Sequence, residues 1–221
     1  MSEPLHIIYQ DEWLVAVDKP AGHLVHPADN PKEDDLVTMK ILRDQLGQHV
    51  YNIHRIDRPT TGVLLFGTDR DAARALHRAL ERHEIKKTYW AIVLGNPPDD
   101  AWECREPLRK TDDAPEREAH TSFKLLEKSG SLALLEATPH TGRTHQIRKH
   151  LLHAGIPIVG DYRYAGIDTS NRLGKDLGTG TRMLLQSRQL EFKHPKTCEQ
   201  TTITAPIDPM FTLCLPSLST S

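Results

Sequence analysis

His54-Arg55-Ile56-Asp57-Arg58-Pro59-Thr60-Thr61-Gly62 runs directly into Val63-Leu64-Leu65-Phe66-Gly67. An acid lies between two arginines, a turn with Pro and Gly follows, and an apolar run bounded by glycines suits a buried strand. Coulomb attraction and charge-assisted hydrogen bonds from Arg55 and Arg58 would keep Asp57 ionised. A carboxylate held ionised in a preformed site is suited to attack, or to stabilise, an electron-poor sugar carbon. The same pattern also suits a plain surface salt bridge where a strand begins, and spacing alone leaves both readings open.

Outward from this stretch, the pattern predicts many strands and few helices. Residues 5–9 and 13–17 read as a hairpin, turned by residues 10–12 and stopped by Lys19-Pro20-Ala21-Gly22. Residues 27–35 are polar and loop-like, and 36–46 carry helical spacing at Leu36, Met39, Leu42 and Leu46. Asp69 can cap a helix over 70–83, whose apolar positions are Ala72, Ala73, Leu76 and Leu80. Strands are expected at 88–94, 121–127, 132–138, 183–193 and 200–204, with a short helix at 144–154. Residues 96–120 read as a polar surface insertion. Residues 165–182, rich in Gly, Thr, Asp and Asn, read as a mobile loop whose Arg172, Lys175 and Arg182 could close over a substrate. No regular βαβ alternation is present. The expectation is an α+β fold with a mixed, largely antiparallel central sheet flanked by helices and loops, in one domain.

The 221 residues carry 28 Lys and Arg against 30 Asp and Glu, a formal charge of −2. That argues against a polybasic protein holding nucleic acid by bulk charge. The charge is uneven, however. Residues 1–35 hold eight acids against two bases, and 96–120 hold eight against four. Residues 51–90 reverse this with eight bases against five acids, and 138–164 hold four bases, one acid and four histidines. Arg70, Arg74, Arg78 and Arg82 recur every four residues, a repulsive spacing that a polyanion would relieve and that a solvated helix face also tolerates. The three cysteines, Cys104, Cys198 and Cys214, form no CxxC, which implies a reducing compartment and no multi-cysteine zinc. The start lacks a secretory pattern, and no apolar run is long enough to span a membrane. A metal site on His145, His150, His153 and Asp161 is disfavoured, because this histidine spacing does not put three ligands on one helical face. No Gly-rich phosphate loop is present.

Three segments together resemble the RluA-type pseudouridine synthases. His54-Arg55-Ile56-Asp57 with Thr60-Thr61-Gly62 resembles the family's HRLDxxTSG motif. Lys86-Lys87-Thr88-Tyr89-Trp90-Ala91 resembles its K-x-Y-x-A strand, and residues 141–151 (TGRTHQIRKHL) resemble its TGRxHQLRxHL segment. Pro157-Ile158-Val159-Gly160-Asp161 and the KPxG hairpin at 5–22 agree with it as well. Ile56 and Thr61 stand for the usual Leu and Ser, and Gln186-Ser187 for a frequent His-Ala, which puts local strand contacts in doubt but not the chemistry. The resemblance spans about residues 5–210. It implies a single catalytic domain over 1–221 without the N-terminal S4-like domain of longer relatives.

The resemblance implies an isomerase that works on RNA without metal or organic cofactor. Asp57 is the implied catalytic carboxylate, Arg148 the arginine that pairs with it, and Tyr89 the tyrosine that stacks on uracil or moves a proton. Arg55 is implied to fill the stack vacated when the target base flips out. Arg58, Lys86, Lys87, Arg143 and His145 are RNA-binding candidates, and Ile147 and Leu185 are candidate pocket walls. Residues 45–60 are most similar to members that modify a uridine at the acceptor-stem end of the tRNA T arm; the same chemistry on ribosomal RNA, or on both RNAs, is the alternative. A cytoplasmic monomer with an RNA substrate and no membrane association is expected.

Overall fold

The computed structural model describes residues 3–27 and 35–220. Most of the loop read at 27–35 lies outside them. In chain order the elements are β1 (His6–Gln10), β2 (Leu14–Lys19), α1 (Thr38–Leu46), β3 (Tyr51–Asn52), β4 (Thr61–Gly67), α2 (Arg70–Glu81), β5 (Lys86–Leu94) and β6 (Ala101–Cys104). They continue with β7 (Thr121–Ser129), β8 (Leu132–Pro139), α3 (Gln146–His153), α4 (Ile167–Asp176), β9 (Leu185–Lys193), β10 (Gln200–Thr204), α5 (Pro209–Cys214) and a 3-10 turn over Pro216–Thr220. The fold is α+β, with antiparallel strand pairs and a parallel bridge between Leu24 and Val37. Two compact units divide the chain: Met1–Lys87 with Ser187–Pro206, and Thr88–Gln186 with Ile207–Ser221.

In the first unit the strand order is β1-β2-β4-β9, with β3 on β4 and β10 on β9. All seven residues of β4 are buried, as a strand covered on both faces requires. One face packs Val63 and Leu65 with Leu14 and Ala16 of β2 against Ala72, Ala73 and Leu76 of α2. Asp69 caps α2 as its position predicts, its carboxylate accepting from the Ala72 amide at 2.9 Å. In the second unit β5, β8, β7 and β6 pair in that order, and Tyr89 of β5 sits opposite Ala137 of β8. Its core joins Ile92, Leu134, Val159, Leu184 and Phe211.

Two expectations need correction. Residues 165–182 are not an open loop: ten of them form α4, with Leu173 and Leu177 packed on the core of the second unit. One of the glycines that suggest mobility serves close approach instead. A side chain on Gly174 would put its Cβ 1.9 Å from the Gly180 carbonyl oxygen. Arg182, expected to be free to close over substrate, is ion-paired with Asp208. The 96–120 stretch is likewise not all loop, because β6 pairs with β7 and Trp102 stacks on Phe123 at 5.0 Å. A single aromatic in an acidic strand is too weak a periodic signal to read. The two-residue β3 and the short α5 also escaped the sequence pattern.

Gly160 sets the sharpest packing constraint. Its φ is +76°, and a Cβ there would lie 1.9 Å from the Arg182 carbonyl oxygen. Gly160→Ala is expected to lose about 3 kcal/mol or more of unfolding free energy in urea. Gly142→Ala, where a Cβ meets nothing within 4 Å, should stay within about 0.5 kcal/mol.

Candidate active site

The loop that carries Asp57 is fastened from behind by a buried lysine. Lys19, at the end of β2, is 0% exposed, and its ammonium donates to the carbonyls of Pro20 at 2.8 Å, His23 at 3.0 Å and Arg58 at 3.1 Å. Three acceptors match its three donors, which is what makes a buried ammonium tolerable. The Gly22 amide donates to the Arg58 carbonyl at 2.9 Å, and Nε of Arg58 returns a bond to the Gly22 carbonyl at 2.8 Å. Within the loop, the Thr60 amide donates to the Asp57 carbonyl at 3.0 Å, closing the turn at Pro59. Asp57 itself is half-buried. Arg58 also reaches Asp35 at 3.0 Å. Arg55 is exposed, and its Nη1 donates to Nε2 of His26 at 3.2 Å.

His54, three residues before Asp57, is built into the β4 ladder. The Leu65 amide donates to its Nε2 at 3.1 Å, so the proton sits on Nδ1. Burial, and secondarily the charge of Lys87, pushes the imidazole down to about 3. Burial also lowers the Lys87 ammonium. Lys86 is exposed and pairs with Glu191 at 2.7 Å. Two lysines read alike in sequence thus differ: one is an open surface charge, the other half-sunk beside a neutral histidine.

In the second unit the TGRTHQIR segment forms the start of α3. Gln146 satisfies its whole amide. Its oxygen accepts from the Thr141 hydroxyl at 2.7 Å and the Arg143 amide at 3.0 Å, and its nitrogen donates to the His120 carbonyl and the Thr121 hydroxyl, both at 2.9 Å. Thr121 in turn meets Nδ1 of buried His150 at 2.9 Å, while Nε2 of His150 meets the Glu106 carbonyl at 3.1 Å. Burial lowers the pKa of His150, which fits a neutral ring donating once and accepting once. This lattice fixes how α3 begins and therefore where its next turn points.

That turn presents Arg148. It is 6% exposed, and it forks onto Asp161, itself 1% exposed, through Nε at 2.7 Å and Nη2 at 2.8 Å. Its guanidinium also lies over the Tyr164 ring, 5.0 Å from the centroid. The Tyr164 hydroxyl meets Nδ1 of His145 at 2.9 Å, and His145 holds a left-handed backbone with φ +55°. A non-glycine residue in that region is held by its surroundings, a feature that gathers at functional sites. Arg143 bonds the Glu118 carbonyl through Nε at 2.8 Å. Ile147, Leu185 and Tyr89 are buried, Tyr89 at 8% exposure.

The candidates therefore fall in two groups. Asp57, Arg55, Arg58, Lys86 and Lys87 belong to the first unit, and Tyr89, Arg143, His145, Ile147, Arg148 and Leu185 to the second. Lys19, His54, Gln146 and Tyr164 carry no sequence signal of their own, although each lies in or beside one of the motifs. Asp161, a possible metal ligand by sequence, instead holds the arginine. Among the described residues no three His, Cys, Asp or Glu side chains gather to hold a metal ion, and no helix is long and apolar enough to cross a membrane.

The first unit thus carries an aspartate on a clamped loop, and the second a buried arginine–aspartate fork under a tyrosine ring. The family model for RNA pseudouridylate synthase matches residues 13–153, a span that contains the Asp57 loop, Tyr89 and Arg148. tRNA pseudouridine synthase C of Salmonella typhimurium is 38% identical over 225 residues, covering 92% of this chain and 86% of that protein. Its namesake in Vibrio cholerae is 39% identical over 226 residues, covering 92% and 91%. The solved structure of Human RNA Pseudouridylate Synthase Domain Containing 4 matches with a TM-score of 0.78 at 27% identity, over 97% of this chain and 93% of that one. The chain belongs to the RNA pseudouridylate synthase family. It is an isomerase, a pseudouridine synthase of the RluA type, similar over about nine-tenths of its length to proteins named tRNA pseudouridine synthase C.

The state of His54 has a measurable consequence. Folded, it takes up a proton only near pH 3; unfolded, it does so near its ordinary 6.5. Between those values the unfolded chain binds the extra proton, so stability falls as pH falls, by up to about 1.4 kcal/mol per pH unit. His54→Gln removes this proton uptake. Urea unfolding between pH 6.5 and 4 should show a slope shallower than wild type by about 1 kcal/mol per pH unit; equal slopes would mean that His54 is not held neutral.

Proposed function

We propose that this chain converts one specific uridine of tRNA to pseudouridine, at the acceptor-stem end of the T arm, acting as a monomer in the cytoplasm. The observation that carries the reading is the match over about nine-tenths of the chain to relatives named for tRNA pseudouridine synthesis. Free cysteines agree with a reducing compartment.

The reaction breaks the N1–C1′ bond, turns the uracil and joins C5 to C1′. The C5 proton leaves to solvent and N1 gains one, so every other atom is retained and no co-substrate is consumed. Asp57 serves as the catalytic carboxylate, on a loop that Lys19 holds rigid. Arg148 supplies a fixed guanidinium to the reaction, and Asp161 positions Arg148. Tyr89 contributes its ring to the uracil and its hydroxyl to proton transfer. The target base leaves its stack to reach Asp57, at a cost of a few kcal/mol, and exposed Arg55 offsets that cost by filling the gap. Lys86, Lys87, Arg143 and His145 bind the surrounding RNA, and Ile147 and Leu185 wall the base pocket.

Tritium release from tRNA carrying 5-tritiated uridine tests this directly. Wild type should release tritium from tRNA and not from ribosomal RNA fragments. Asp57→Asn should lower the rate at least about a thousandfold, since it removes the reacting group itself, while keeping tRNA affinity within about threefold. Release from ribosomal fragments alone would overturn the substrate, and full activity of the variant would overturn the role of Asp57.

A further inference from the structure

The first unit contains a cleft between β3 and α2 that the reaction does not use. Its volume is about 450 Å³, within the range of small-ligand sites, and its lining includes Met39, His49, Tyr51, Arg70, Arg74 and His77. Nε2 of His77 bonds the Asn52 carbonyl at 2.8 Å, which ties the helix to the strand and holds the cleft in shape. The rings of His49 and Tyr51 meet edge to face, with centroids 4.5 Å apart. Arg70 and Arg74 border the same cleft, and both side chains are exposed. Arg70 has no ion-pair partner among the described residues, and Arg74 reaches only Asp71, at 3.5 Å with both side chains more than half exposed. Such a pair is weak and yields readily to a better anion.

Aromatic surface beside exposed, weakly engaged arginines suits single-stranded RNA, because bases stack on the rings and phosphates take the guanidiniums. It also accounts for part of the arginine comb on α2, which repels itself when no polyanion is present. Asn52 on the cleft wall is five residues from Asp57, at most about 18 Å along an extended chain. One RNA can therefore engage both places.

We propose that this cleft is a further RNA subsite: it holds an unpaired nucleotide of the substrate, with the base on His49 and Tyr51 and the phosphate on Arg70 and Arg74. The proposal rests on the reading of the chain as a tRNA-modifying enzyme. The test uses full-length protein and total unmodified tRNA, with KM, kcat and the salt dependence of binding as readouts. Arg70→Gln with Arg74→Gln should raise KM about tenfold, more than it lowers kcat, and reduce the slope of log affinity against log salt by about two. Tyr51→Leu should weaken binding about tenfold with the slope unchanged. Arg82→Gln, at the C-terminal cap of the same helix but outside the cleft, should leave KM within about twofold of wild type. Unchanged KM and slope in the double variant, or an equal effect from Arg82→Gln, would overturn the subsite. Should the double variant fail to fold, Tyr51→Leu decides alone: wild-type affinity in it overturns the proposal. Wild-type protein that leaves tRNA unmodified would instead overturn the underlying functional reading.

Discussion

The bidentate pair between Arg148 and Asp161 is the constraint around which the second unit is arranged. Both groups are almost fully buried, so each without the other would be a desolvated charge. Removing one partner of such a pair costs about 3–5 kcal/mol, although the intact pair adds little stability over an apolar substitute. Its value is geometric. Asp161 also accepts from the amides of Arg163 and Tyr164, at 3.2 and 3.3 Å, so the carboxylate is fixed by its own turn before it fixes the arginine. That turn follows Gly160, whose missing side chain admits the Arg182 backbone. The turn then delivers Tyr164 to the face of Arg148 and to His145. Two neighbouring motifs are thus one piece of machinery.

The first unit solves the same problem with different chemistry. A lysine ammonium, satisfied by three carbonyls, stands behind the Asp57 loop, and a neutral histidine completes the β4 ladder three residues before the aspartate. In both units buried polar groups lock the backbone that carries the functional side chain. The charges of the motifs are therefore of two kinds: those that hold geometry, such as Lys19 and Asp161, and those held by it.

Much of this was legible in the sequence, for identifiable reasons. β4 and β5 are apolar runs bounded by glycine or charge, and α2 carries both its cap at Asp69 and its apolar spacing. Asp57, Tyr89 and Arg148 came from the resemblance of ordered motifs, not from periodicity. What escaped depends on contacts remote in sequence. Gly174 and Gly180 read as loop formers because nothing local says that a helix packs against a glycine carbonyl. Lys19 reads only as part of the stretch that stops a hairpin, because one of its acceptors is thirty-nine residues away. Asp161 reads as a possible ligand because its partner is thirteen residues earlier. The net charge of −2 is equally uninformative as a total, since acidic flanks mask the positive stretches that hold the motifs.

In the proposed reaction Asp161 acts by positioning Arg148. Single-turnover pseudouridine formation on tRNA by Asp161→Asn, in protein shown to be folded by circular dichroism, tests it most directly. Misplacing the guanidinium should slow the chemical step about a hundredfold while tRNA affinity stays within about threefold. A rate within about threefold of wild type would mean that Arg148 does not need its fixed partner.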